Sequence, residues 1–229
     1  MTNAHLAGLL QLASPTLPVG AFSYSQGLEW AVAERIVHDE ASLEAWLGSV
    51  LRDGIGAWDA TWVAALMRAW SQGALDTVTL LNERFLASRE TRELLAETLQ
   101  MGRSLLSLLH NTHELAPARL AHLHSIDATD GLALPVAWSA LAAQRDIEIH
   151  DALVGYLWSW LENAVMAALK TAPIGQSAGQ RLLTRLGGTL DALAAEAAGR
   201  PLDRCSNLLP GLTLASMRHE TQYSRLFRS

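Results

Sequence analysis

The choice of aliphatic residues constrains this chain more than any motif does. Alanine and leucine together supply 79 of its 229 residues, against 15 for valine and isoleucine. Ala and Leu lose little side-chain freedom in a helix, whereas β-branched residues suit pleated sheets. The expectation is an all-α fold. Half of the residues are hydrophobic, which excludes intrinsic disorder and allows one continuous core.

Spacing supports that class. After Asp39, a helix N-cap by residue type, Leu43, Trp46, Leu47, Val50 and Leu51 recur at three and four residues and share one stripe. Gly54 and Gly56 are expected to break or bend this helix. Trp58, Trp62, Leu66 and Trp70 form a second stripe, Asp76 opens a shorter helix to about Phe85, and a long one runs from about Arg89 to His110. From His113 to Gly131 the periodicity fades, which predicts a mobile connection or a short irregular helix. Leu132–Gln144 and Ile147–Lys170 read as strongly apolar central helices. Pro173 ends the second of these and can start the next, Gly187-Gly188 ends that one, and Thr189–Ala198 is another. A loop from Gly199 to Pro210 precedes a polar-rich helix or tail, Leu212–Ser229. The whole, residues 1–229, reads as a single-domain helical bundle of about ten helices.

Charge and motifs exclude several functions. The formal net charge is −6, so no cation excess exists to release counterions from a nucleic acid. One cysteine, Cys205, can form no internal disulfide and no thiolate cluster for structural zinc, as expected in a reducing, cytoplasmic setting. The amino-terminal MTNAHLAGLLQLASP lacks the basic region of an export signal. The most membrane-like stretch, Ala152–Leu169, carries Glu162 and Asn163 at its middle, and a charge there costs roughly 2.5–3.5 kcal/mol on insertion scales. Phosphate-binding G-x-x-x-x-G-K-[ST] and G-x-G-x-x-G loops are absent, as is H-E-x-x-H. No cofactor and no catalytic constellation are expected. The one metal-like grouping is His110, His113, His122 and His124 with Glu114, whose spacing across Pro117 makes His122 and His124 weak candidates as ligands. An enzyme or helical metal-binding protein using His110–His124 is the alternative reading.

Three segments are harder to explain by packing alone. Ser14–Glu29, SPTLPVGAFSYSQGLE, sets two prolines and two glycines around Phe22 and Tyr24, with a helix expected from about Ser23 or Ser25. In PIGQSAGQ, Gly175 and Gly179 are four apart, as are Gln176 and Gln180, giving a glycine ridge beside an amide ridge on one helix. Such a ridge serves close packing within one chain or a contact between subunits. The closing MRHETQYSRLFRS places Tyr223, Leu226 and Phe227 among Arg218 and Arg225, and Arg and aromatics are enriched at interface hot spots. That segment docks on its own body or, the preferred reading, on a partner.

Together these segments resemble the urease accessory protein UreF family. The resemblance is carried by L-Q-L-A-S-P-T-L-P-V-G-A-F-S-Y-S-Q-G-L-E at Leu10–Glu29, P-x-G-Q-x-x-G-Q at Pro173–Gln180, and R-H-E-T-Q-Y-S-R-L-F-R-S at Arg218–Ser229. Order and distances match over essentially the full chain. Phe22 stands where some relatives carry tyrosine, and 113–131 matches no family motif. The resemblance implies an all-α homodimer that performs no chemistry alone. It implies binding to the scaffold UreD (also called UreH), recruitment of the GTPase UreG, and help in delivering Ni²⁺ to apo-urease. By the same resemblance Arg218, His219, Glu220, Tyr223, Arg225 and Leu226, with Phe227, would form a partner-binding segment within 212–229. Phe22, Tyr24 and Glu29 would lie at or near the GTPase-facing surface, and Gly175, Gln176, Gly179 and Gln180 would support central helix packing and the dimer. Arg225 would position the partner rather than act as an arginine finger.

Overall fold

In a computed structural model describing residues 3–229, the chain is all-α. Residues 1 and 2, the start of the stretch read for an export signal, lie outside the described residues. The helices are α1 (Asn3–Ala13), α2 (Leu28–Ala33), α3 (Glu40–Ser49), α4 (Ala60–Gln72), α5 (Leu75–Ala87) and α6 (Arg92–Thr112). They continue with α7 (Pro117–Thr129), α8 (Leu134–Gln144), α9 (Ile149–Thr171), α10 (Gln176–Gly187), α11 (Leu190–Gly199) and α12 (Pro210–His219). No helix among the described residues is long and apolar enough to cross a membrane.

The two most apolar helices sit at the centre, as expected from their sequences. α9 touches α1, α2, α4, α10 and α11, while α8 lies between α4 and α6. Nine of the eleven residues of α8 are buried, from Pro135 to Ala143, so a helix with almost no polar face is satisfied only inside the bundle. Trp70, Trp138 and Phe85 are the largest fully buried side chains among the described residues. The entry to α8 is pinned by side chains. Buried Asn82 donates to Gly131 O (2.9 Å) and accepts from Ala133 N–H (3.0 Å), and Thr98 Oγ1 accepts from Leu134 N–H (3.2 Å). Gly102 of α6 passes so close that a Cβ there would lie 2.0 Å from Leu132 O. Glycine is therefore a packing requirement at this crossing.

Local chemistry explains the start of α3. Asp39 caps α3 in a reciprocal capping box with Ser42, as its residue type predicts. Outside the core, Glu40 and Glu44 of α3 pair with Arg181 and Arg185 of α10, and the two guanidinium groups hold the Glu40 carboxyl down at about 2.

Four expectations need correction. Gly54 and Gly56 do not break the first long helix: Val50–Asp59 continues it as a π-helical stretch, joining α3 to α4. A Cβ on Gly56 would lie 2.9 Å from Leu51 O, so the wider turn uses the missing side chain to let the backbone close on itself. The 113–131 segment is no irregular connection. It forms the regular thirteen-residue α7, with Pro117 at the helix start and Leu123 and Ile126 buried. Pro173 stays in the turn before α10, which begins at Gln176. The helix expected from Ser23 or Ser25 starts at Leu28, after a 3₁₀ turn at Ala21–Ser23.

Candidate functional site

The two ends of the chain meet. Gln26 and Gly27 both adopt left-handed backbone (φ 52 and 76), turning the chain sharply into α2. At Gly27 a Cβ would lie 2.9 Å from Ala215 Cβ and from Ser216 N, so glycine lets α12 settle directly on the start of α2. From there residues 220–229 run back along α2 and α6.

Carboxylates hold this return. Glu29 accepts from the backbone N–H groups of Leu226 (2.7 Å) and Phe227 (2.9 Å). His219 is fully buried with Glu93 Oε2 at 2.7 Å from Nδ1 and Glu29 Oε2 at 3.3 Å from Nε2. Arg225 donates to the other oxygen of Glu93 (2.8 Å), and Glu220 accepts from Arg92 N–H (3.1 Å). Ser229 Oγ donates to Glu97 (2.8 Å), while Ser229 O accepts from both the N–H (2.7 Å) and the Oγ (2.6 Å) of Ser25. Arg228 N–H donates to Ser23 O (2.8 Å). Phe227 enters the core. The last segment thus docks on its own body, where five of its backbone and side-chain donors find acceptors on Ser23, Glu29, Glu93 and Glu97.

This docking sorts the expected partner residues into two groups. Tyr24, His219 and Phe227 are buried, and Glu29 is half-buried beneath the segment. Phe22, Arg218, Tyr223, Arg225 and Leu226 face outward, with Phe22 67% and Leu226 64% exposed. Glu220 lies between these extremes.

Glu93, Glu97 and Gln26 are central here and were not singled out from the sequence. Gln26 donates to Glu97 Oε1 (2.7 Å) and accepts from Trp160 Nε1–H (2.7 Å), so a chain of bonds runs from α9 through Gln26 and Glu97 to Ser229. Burial pushes the Glu97 carboxyl up to about 7, against the smaller opposing pull of the Gln26 and Ser229 hydrogen bonds and of Arg89. The signal was present in α6: Glu93 and Glu97 extend at four-residue spacing the stripe that continues through Met101, Leu105 and Leu109, all buried. Carboxylates on an otherwise apolar stripe mark a helix face whose buried partners come from elsewhere.

The glycine–glutamine ridge divides. Gly179 packs on α9, where a Cβ would lie 3.2 to 3.3 Å from Leu169 and Val165, whereas Gly175 precedes the helix with open space around it. Gln176 and Gln180 are exposed on α10. The histidines also separate. The Nε2 of His122 lies 3.1 Å from both Leu75 O and Thr79 Oγ1, and its ring packs edge-on to Trp70. His124 faces His110 instead, at 3.3 Å. Among the described residues no group of three or more His, Cys, Asp or Glu is placed to hold a metal ion.

A family model described as UreF matches residues 37–187, running through 113–131 as well. A protein named urease accessory protein UreF from Dechloromonas aromatica (strain RCB) is 52% identical over 228 residues, covering 100% of this chain and 99% of the relative. One of the same name from Azoarcus sp. (strain BH72) is 54% identical over 226 residues, covering 98% and 95%. With the first and last of the three sequence segments meeting at one carboxylate-bound surface and identity extending from end to end, the chain belongs to the UreF family of urease accessory proteins, not to a family of enzymes.

Proposed function

We propose that this chain is the adaptor of a urease-activation complex: a cytoplasmic homodimer that binds the scaffold UreD (UreH), recruits the GTPase UreG, and so couples GTP hydrolysis to Ni²⁺ delivery into apo-urease. Family membership supports the general role. The observation that carries the adaptor reading is the stitched carboxyl-terminal segment. Glu29 and Glu93 bind its backbone and Arg225 from below, which leaves Tyr223 and Leu226 fixed and outward, with Phe22 close by through the Arg228–Ser23 bond. Large apolar side chains held in water beside Arg218 and Arg225 are costly for a monomer and useful at a contact.

The buried members act by shape. His219, Phe227 and Tyr24 set the height of the segment, and their removal would damage the fold before it reported on binding. Arg225 is already paired with Glu93, which supports a positioning role over insertion into a nucleotide site. Gln176 and Gln180, exposed on α10, are proposed to bond across the homodimer.

Co-expression with UreD and UreG, followed by affinity capture, tests the reading with Tyr223→Ala and Leu226→Asp. Both variants keep the buried carboxylate bonds, so their helicity and melting temperature should match the parent while capture falls at least about tenfold, the loss of a single hot spot of 1.4 kcal/mol or more. Undiminished capture by the double variant would refute the assignment of this surface. For Arg225, a large loss of single-turnover GTP hydrolysis in Arg225→Ala with assembly intact would refute positioning.

A further inference from the structure

Between the 12–22 segment, α6, α8 and α9 lies a cleft of about 150 Å³. Phe22, Met166 and Lys170 are exposed and stand at its mouth. Leu12, Val19, Met101 and Trp138 are buried and wall it, and Asp59, Glu97 and Tyr156 close its inner end. The inner end is charged and incompletely matched. Asp59 pairs with Arg89 across 3.5 Å, and the Arg89 Nε is buried with no hydrogen-bond partner while its guanidinium lies 4.2 Å over the Phe85 ring. Glu97 receives hydrogen bonds from the neutral donors of Gln26 and Ser229. Two carboxylates therefore face one guanidinium. Lys170, at the mouth, holds its ammonium 5.5 Å from the Phe227 ring. Burial pushes both acids upward, against the smaller opposing pull of Arg89.

We infer that this cleft is the receptor for one basic side chain, a lysine or arginine presented by a partner protein, whose aliphatic stem lies along the Leu12, Met101 and Met166 walls and whose head meets Glu97 and Asp59. The volume suits it, since an engineered cavity of roughly 150 Å³ holds benzene. An anion would add charge of the wrong sign. A divalent ion would want a closer ligand set than the described residues offer. A buried, previously uncompensated carboxylate gains much from an ammonium or guanidinium, because charge-assisted hydrogen bonds in such surroundings are the strong ones. The position is continuous with the adaptor surface: Phe22 stands at the mouth, and Glu97 ties the inner end to Ser229. The inference rests on the adaptor reading only in naming a protein as the source of the cation.

The first measurement uses the chain alone. Hexylammonium, hexanoate and hexanol are titrated while melting temperature and tryptophan fluorescence are followed, Trp138 and Trp160 both lining the cleft. Hexylammonium should raise the melting temperature and shift the fluorescence, and the other two should do neither at equal concentration. Glu97→Gln, which keeps the shape, should weaken hexylammonium by roughly ten- to a hundredfold, the loss of one hydrogen bond to a charged group. Equal binding of hexanol, unchanged affinity in Glu97→Gln, or saturable stabilisation by Ni²⁺ that Glu97→Gln abolishes would each overturn the inference. In the second, hexylammonium but not hexanoate should compete with capture of UreD and UreG. Binding of the amine without competition overturns the protein source. Capture that fails with no amine present defeats the adaptor reading while leaving the amine site standing.

Discussion

Replacing Glu97 by glutamine should make this protein more stable above neutral pH, although it removes a carboxylate that makes two hydrogen bonds. The reasoning starts from burial: Glu97 is 7% exposed and its carboxyl is raised from 4.5 to about 7. A raised acid is protonated in the folded chain at pH values where the unfolded chain has already ionised. Below about pH 4.5 both states hold the proton and the group contributes no difference. As pH rises toward 7 the folded state must either keep a proton that the unfolded state releases or bury a charge, and stability falls. Above about pH 7 the deficit is full: 2.5 units at 1.36 kcal/mol each, or about 3 kcal/mol. Glutamine has no charge to bury. Its carbonyl can accept from Gln26 and its amide can donate to Ser229 Oγ, which turns to accept, so the chain from Trp160 to Ser229 survives. Urea denaturation of both proteins from about pH 5 to pH 8 measures the difference, which should widen by about 2–3 kcal/mol in favour of glutamine across that range. Parallel profiles, or a glutamine variant less stable than the parent at pH 8, would refute the argument and require a cation beside Glu97 in the free chain.

Three further outcomes follow from the packing. Gly102→Ala should lower stability by at least about 2 kcal/mol despite alanine's better helix propensity, because the new Cβ meets the Leu132 carbonyl; a melting temperature unchanged or raised would contradict the close crossing. Asn82→Ala strands the buried Gly131 carbonyl and Ala133 N–H and should cost about 2–4 kcal/mol in denaturant midpoint, with a loss under about 1 kcal/mol showing that water replaces the amide. Asp39→Ala removes one half of the capping box and should cost only about 1 kcal/mol, recovered by Asp39→Asn, as read from thermal unfolding.

Much of the architecture was legible because helix formation is local. The Ala and Leu excess, the Asp39 cap, the stripe through Trp62, Leu66 and Trp70, and the apolar density of α8 and α9 each report on neighbours within a few residues, and the structure keeps them all. The misreadings were also local in origin. Glycines at 54 and 56 signal backbone freedom without saying how it is used, and the use, a widened turn, depends on what packs outside. In α7 only Leu123 and Ile126 are buried, too thin a stripe to stand out in the sequence. Two of the three unusual segments, 14–29 and 218–229, make up the candidate surface, but their meeting was not legible.

What sequence alone determined is the helical class, the order of the elements and, through three motifs in register, the family. Only the tertiary structure decided that residues near 25 and 229 share hydrogen bonds, that His219 sits between Glu29 and Glu93, and that Glu97 lies buried at the end of a cleft. Helical periodicity repeats every 3.6 residues and carries no information about partners some two hundred positions away. Those pairings arise when the bundle closes, and burial then gives each carboxylate an environment that its own neighbours in the chain do not specify.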